Sequence, residues 1–282
     1  MTMSHKAKKR VNKITSCIML LLLILATVLP IFWCIITSLK TPQDISAFPP
    51  KVFNFDVTWD NYKQVFAQSF LKSAWNSVFY SGLTILACLT LGYLAAYGFE
   101  RRRFPLKYVL FYIVVIGIPL STGSSVLLIP NYLMMMKLHL TNSWYTLPLL
   151  YTAYNLPLVI WMLISGIRGL PLEIEEAARI DGCSQFYIIT RLNPPMIRPS
   201  FAAAALFAFI GAWNEFITAT VMVNGYALKN IQMAIYDYIG FFGQEWGPLC
   251  AAATLAIIPI LLVFTFLGKQ LVSGLTAGAV KG

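Results

Sequence analysis

Charged residues are scarce in this chain: Asp, Glu, Lys and Arg fill 11% of its 282 positions, where a soluble domain carries about a quarter. So little polar surface cannot cover a water-soluble globule of this length. Histidine is nearly absent, and neither His5 nor His139 has a base or metal partner in reach by spacing. Cysteine is sparse as well. Cys17, Cys34, Cys88 and Cys250 fall inside apolar runs and Cys183 in a basic loop; with no C-x-x-C spacing they support neither a disulfide framework nor a zinc site. They read as small buried apolar residues. No G-x-x-x-x-G-K-[ST] stretch is present, so no phosphate cradle of that kind is encoded. No internal repeat is found, which counts against an inverted-repeat secondary transporter driven by an ion gradient. No reactive polar cluster remains to suit an enzyme, and no catalytic, cofactor or metal site is expected.

What the chain does have is apolar surface, 58% of its residues. A transmembrane helix needs roughly 20 mainly apolar residues, and six stretches qualify: about 15–38, 74–98, 108–130, 145–167, 199–222 and 247–268. These predict an all-α membrane protein with six transmembrane helices and the lipid bilayer as its main solvent. Two stretches carry too much polarity to face lipid: Pro119, Ser121, Thr122, Ser124 and Ser125 interrupt the third, and Tyr151, Tyr154, Asn155 and Pro157 the fourth. Such faces pack on other helices or line a cavity.

The net charge of +10 could suggest nucleic acid, but the basic residues sit in short clusters between apolar runs, so no nucleic-acid partner is expected. Their distribution sets orientation instead. With the N-terminus inside, residues 1–14, 99–107, 168–198 and 269–282 are cytoplasmic and hold 15 of the 21 Lys and Arg. The expected organisation is a basic tail over 1–14, a six-helix transmembrane domain over 15–268 with the cytoplasmic loop 169–198 inside it, and a cytoplasmic tail over 269–282. The first apolar run is too long for a signal-peptide core and no A-x-A-like site follows it, so it is expected to remain as an anchor. On the outer side, Asn61–Phe66 reads as a short amphipathic piece at the interface. Tyr226, Tyr236, Tyr238, Phe241, Phe242 and Trp246 form an aromatic belt that anchors at the interface or offers a docking surface.

The loop over 169–198 has its own punctuation. Pro171 suits the first turn of a helix, and Glu173, Glu175 and Glu176 fall near its positive end. Gly182 suits a left-handed helix terminus, Ser184 a cap for a second helix over about 185–192, and Pro194-Pro195 its stop. The predicted object is two short helices joined by a glycine turn. Ala177 and Ala178 form a small patch open to close approach, with Phe186, Tyr187 and Ile189 as knobs. It reads either as a lever fitted into a partner's groove or as an amphipathic loop resting on headgroups. A helix-turn-helix tethered at both ends to membrane spans could hardly enter a DNA groove.

The spacing of Glu176-Ala177-Ala178, Gly182 and Leu192-Asn193-Pro194-Pro195 resembles the E-A-A, G, I-x-L-P loop of binding-protein-dependent importer permeases. Ile180-Asp181-Gly182 fits the sugar-importer version. Leu192 stands for Ile and Pro194 for Leu. Ala212-Trp213-Asn214-Glu215-Phe216 and the ending Ser273–Gly282 are similar to the smaller maltose-type subunit. The resemblance implies a type I ABC importer permease fold with both termini cytoplasmic, in a bacterial cell membrane. It implies that Glu176, Ala177, Ala178, Asp181, Gly182, Phe186, Leu192 and Pro195 meet an ATPase, and that Gly274, Thr276 and Gly278 in the tail reach into the ATPase dimer. The partners it implies are a second homologous permease, two ATPase subunits that use ATP and magnesium, and an extracytoplasmic binding protein. The implied solute is a sugar or oligosaccharide, with a glycerol phosphate or other non-sugar solute as the alternative.

Glu215 is the one acid well inside a span, some 24 Å along the fifth at roughly 1.5 Å per residue, which puts it near the outer third of the bilayer. It either lines a solute pathway or, with Asn214, braces the span against a neighbour. Tyr151, Tyr154 and Asn155 are further pathway candidates, since aromatic faces and amides suit sugar rings.

Overall fold

A computed structural model describes residues 5–122, 127–240 and 243–279, with side chains over 13–119, 127–240 and 245–268. Ser124, Ser125, Phe241 and Phe242 lie outside that description, as do the side chains of Ser121, Thr122 and Thr276, and Gly274 and Gly278 are described by backbone alone. In chain order, α1 (His5–Ser38) precedes two short helices, α2 (Pro42–Ile45) and α3 (Asp60–Ala67), and the long α4 (Phe70–Arg101). α5 (Lys107–Thr122) and α6 (Leu128–Lys137) lead to α7 (Thr146–Arg168). The loop beyond it holds α8 (Leu172–Ile180), α9 (Gln185–Tyr187), a π-helical stretch Ile188–Leu192, and α10 (Asn193–Met196). Then come α11 (Arg198–Trp213), α12 (Ile217–Met222), α13 (Ile231–Tyr236), a hairpin of β1 (Ile239–Gly240) and β2 (Gly243–Gln244), and α14 (Trp246–Ala279). That hairpin pairs Ile239 with Gln244 and Gly240 with Gly243, so the chain is helical but not purely so.

Four helical segments among the described residues are long and apolar enough to cross a membrane: Lys13–Ser38, Phe70–Arg101, Thr146–Arg168 and Trp246–Gly268. A fifth candidate is a pair, Gln185–Met196 with Arg198–Trp213, bent by 82°. Two of the six predicted spans are therefore not single helices. The third divides between α5 and α6. The fifth is interrupted at Asn214–Phe216 between α11 and α12, so the position of Glu215 along one continuous helix does not hold. α11 has 16 residues, roughly 24 Å of rise against a hydrocarbon core of about 30 Å. α14 runs to Ala279 without a break at the predicted boundary of 268.

The chain separates into two compact units. The first takes the chain to Gln68 together with Asp237–Leu255. The predicted amphipathic piece is α3, where Asn61 and Val65 are buried. Asn61 donates to the carbonyls of Ser38 and Lys40, each at 2.9 Å, which pins α3 against the end of α1. Buried Asp44 accepts from Lys51 Nζ at 2.5 Å and from the Asp56 N–H at 3.1 Å, so the proline-rich segment between α1 and α3 closes on itself. Cys34 and Cys250 are only half-buried and Cys17 is exposed; Cys88, in the second unit, is the buried one.

The second unit is Ser69–Tyr236 with the chain from Ala256. Its core is built on α7, which packs against α4, α11 and α5. Tyr93, Ala96 and Tyr97 of α4, Val159, Leu163 and Ile167 of α7, and Ala204 and Ala208 of α11 form one buried cluster. Small residues let these helices approach closely, as in other membrane bundles. A Cβ on Gly92 would lie 2.7 Å from Val159 Cγ1. A Cβ on Gly166 would overlap Ser200 of α11.

Candidate functional site

The loop after α7 folds as two short helical pieces around a tight turn. α8 starts after Pro171, with Glu173 and Glu175 in its first turn. Gly182 ends it at φ +84°, a conformation glycine adopts without a Cβ penalty. The Asp181 N–H donates to the Ala177 carbonyl at 2.9 Å and the Cys183 N–H to the Ala178 carbonyl at 2.9 Å, closing the helix end. Ser184 Oγ then accepts from the Tyr187 N–H at 3.2 Å and caps the second piece, as its position in the sequence predicts.

That second piece departs from expectation. Pro194-Pro195 does not stop it, because the π-helical turn at Ile188–Leu192 shifts the hydrogen-bond register and both prolines enter the first turn of α10. The chain bends only after Met196, at Ile197.

The predicted docking residues mostly face outward. Glu176, Ala177, Asp181, Gly182 and Pro195 are exposed, and Ala178 and Leu192 half-buried. Phe186 and Ile180 protrude, 76% and 87% exposed. Ile189 is not a knob, since it packs against the core of the second unit.

The sequence reading missed what lies beneath this face. Glu175 is 1% exposed. Its Oε1 accepts from Arg101 Nε at 2.7 Å and Asn193 Nδ2 at 3.0 Å, and its Oε2 accepts from Tyr97 Oη at 2.8 Å. Burial pushes this carboxyl's pKa up, but the hydrogen bonds from Arg101, Tyr97 and Asn193 outweigh it, and the net shift is downward. The only sequence trace was a third acid in the first turn of α8, which the helix dipole already explained.

The second constellation lies between α7, α11 and the break before α12. Tyr151, Tyr154, Asn155, Asn214 and Glu215, all five sequence-chosen pathway candidates, line one cavity of about 530 Å³ with Leu158, Ile210, Gly211, Phe216 and Ile217. That volume falls within the usual range of small-molecule sites, about 300–1,000 Å³. Glu215 has a second task. Its carboxylate accepts from the Thr218 N–H at 3.0 Å and Thr218 Oγ1 at 2.6 Å, satisfying a donor at the start of α12. The sequence reading also missed Asn230, which is buried and donates to the Glu215 carbonyl at 2.6 Å and to Tyr151 Oη at 3.2 Å. Asn131 Nδ2 donates to Tyr154 Oη at 2.8 Å. A Cβ at Gly211 would overlap the Asn155 side chain, so this glycine lets Asn155 sit directly on the α11 backbone. Among the described residues no group of three or more His, Cys, Asp and Glu is placed to hold a metal ion.

Residues 89–276 match the family model described as a binding-protein-dependent transport system inner membrane component. The chain is 34% identical to a sulfoquinovosyl glycerol transport system permease protein of Agrobacterium fabrum, over 90% of this chain and 88% of that protein. It is 30% identical to a trehalose/maltose transport system permease protein of Thermococcus litoralis, over 99% and 100%. A diacetylchitobiose uptake system permease protein of Streptomyces coelicolor is 30% identical over 92% and 94%. The fold matches a chain of a bacterial ABC transporter involved in the import of the acidic polysaccharide alginate, with a TM-score of 0.80 at 20% identity over 95% of this chain and 99% of that one. A family whose members are the membrane part of a transport system accounts for a chain without chemistry of its own. With two thirds of its length in the family model and relatives at 30% identity or more along most of it, this chain belongs to the binding-protein-dependent transport system inner membrane components.

Proposed function

We propose that this chain is one permease subunit of an ATP-driven importer for a sugar or oligosaccharide. The observation that carries the reading is the outward face of the loop over 169–198. Two capped helical pieces present Phe186 and Ile180 to whatever lies beyond, while the opposite side is anchored to α4 and α7. Glu176, Asp181 and Gly182 are exposed in the same loop. The face fits a groove on an ATPase subunit.

The rest of the assembly follows from that role. Six spans, the third and fifth broken, put both termini on the cytoplasmic side of a bacterial inner membrane. A second, homologous permease completes the pathway, and two ATPases beneath the loops use ATP and magnesium. The tail with Gly274, Thr276 and Gly278 reaches toward them, and a binding protein delivers solute from outside. Solute passes the cavity of Tyr151, Tyr154, Asn155, Asn214 and Glu215, whose ring faces, amides and carboxylate suit sugar hydroxyls. Three relatives carry sugar-derived solutes in their names, which favours carbohydrate over a simple glycerol phosphate.

The test is uptake by proteoliposomes holding the complete importer, using the sugar released from its purified binding protein. Glu176→Ala and Gly182→Pro are expected to abolish uptake while the binding protein keeps its affinity for the sugar. Normal uptake by Gly182→Pro would sink the docking model, because proline cannot take the positive φ found there.

A further inference from the structure

The loop over 169–198 is continuous in sequence with α7 and α11, yet its side-chain anchors sit on α4. Arg101, the last residue of α4, donates through Nε to Glu175 and through Nη2 to the carbonyls of Ile167 at 3.1 Å and Leu170 at 2.8 Å. Tyr97, one turn earlier, donates to the other Glu175 oxygen and accepts from Gln185 Nε2 at 2.6 Å. Tyr93, one turn earlier again, donates to the Ile189 carbonyl in the π-helical turn at 2.8 Å. Asn193 of α10 closes the set by donating to Glu175, and Arg179 stands 3.7 Å from the same carboxylate. Three side chains on one face of α4 thus hold both halves of the loop, and one buried carboxylate receives the convergent bonds.

From this geometry we infer that Glu175 is a positioning residue that yokes both halves of the loop to α4, so that displacement of the loop is delivered to α4. The inference rests on the docking reading above. The alternative routes along the backbone are poor levers. The loop leaves α7 through Gly169, and it joins α11 through an 82° bend preceded by a π-helical turn, a local irregularity that yields more readily than a regular helix. Hydrogen bonds to a buried charge are among the stronger non-covalent links available, and removing one partner leaves the others unsatisfied. Glu175 touches neither solute nor nucleotide in this scheme. It transmits motion.

The experiment uses the complete importer with ATP as the probe and measures hydrolysis with and without the loaded binding protein, as purified. In the intact complex, binding outside must change hydrolysis inside if the two sites are coupled. Glu175→Gln is expected to keep the ATPase subunits through purification while the ratio of stimulated to basal hydrolysis falls about tenfold, the effect of losing roughly one charge-assisted hydrogen bond. An unchanged ratio, including an equal fall of both rates, overturns the inference, because a merely structural role lowers both together. Where Glu175→Gln fails to accumulate or to hold the ATPases, Tyr97→Phe removes a single bond to the same carboxylate and is read the same way: a reduced ratio supports the yoke and an unchanged one overturns it. The docking reading has a separate readout. Phe186→Ala leaves the yoke untouched and is expected to lose ATPase co-purification, and retention there overturns docking whatever Glu175 does.

Discussion

Glu175 and Glu176 are neighbours in sequence with opposite environments, one 1% exposed beneath the loop and the other open on its surface. Helical geometry produces this, since consecutive residues are about 100° apart around the axis and only one of the two can face α4. The buried one carries a pH signature. Its pKa is below its ordinary value of 4.5 because Arg101, Tyr97 and Asn193 outweigh the burial penalty, with Arg179 the other charge near it. A carboxyl with a lowered folded pKa stabilises the native state fully above the unfolded value and loses that contribution as pH falls through the folded value. The stability gap between the native protein and Glu175→Gln is therefore expected to be largest at neutral pH and to shrink as the pH falls below the ordinary value of 4.5. Unfolding followed across that range checks it; a gap independent of pH would contradict the ion-paired assignment.

At the scale of elements, the broken fifth span sets the problem. Asn214 and Glu215 occupy the break between α11 and α12, where backbone donors at the start of α12 need partners. Glu215 supplies one, and the same break turns its residues into the cavity wall. Bracing and pathway lining, alternatives in the sequence, are thus compatible at one residue. They remain separable by substitution. Glu215→Gln keeps an acceptor for Thr218 and is expected to hold thermal stability while lowering uptake. Glu215→Ala is expected to lose uptake and also about 1 kcal/mol of stability, as for other lost helix-end acceptors. Thermal unfolding measured beside uptake distinguishes the two; equal stability of both variants would remove the capping role. The interruption was not legible because hydrophobicity runs across it from Ala202 to Val223 with only Asn214, Glu215, Thr218 and Thr220 as polar marks. The Pro194-Pro195 pair misled in the other direction. Proline ends a regular helix by withholding an N–H, but a π-helical register ahead of it removes the demand for that bond.

For the whole molecule, the decisive property is the absence of any phosphate loop in a chain whose family moves solutes with a binding protein. Uptake by cells carrying the full set of subunits is expected to stop on ATP depletion and to survive collapse of the ion gradients at constant ATP. The reverse outcome would mean an ion-coupled transporter, and transport rates under the two treatments decide between them.

The sequence by itself determined that the chain is membranous, where four of its apolar helices run, and that the loop around Glu176–Gly182 holds two capped helical pieces. These depend on local quantities: run length, a glycine at positive φ, a serine cap. It also pointed to five side chains that share a cavity, because polar residues inside apolar runs are costly unless they face one another or a solute. Only the tertiary structure decided that Arg101, counted in the sequence merely as one more inside charge, reaches Glu175 from 74 residues away. The same holds for Asn230, which reaches two cavity residues from a distant loop by bonding to the Glu215 carbonyl and Tyr151 Oη. Such pairings are fixed by how helices cross, at Gly92 on Val159 and Gly166 on Ser200, and no local pattern in a single chain records which charge a buried carboxylate will meet.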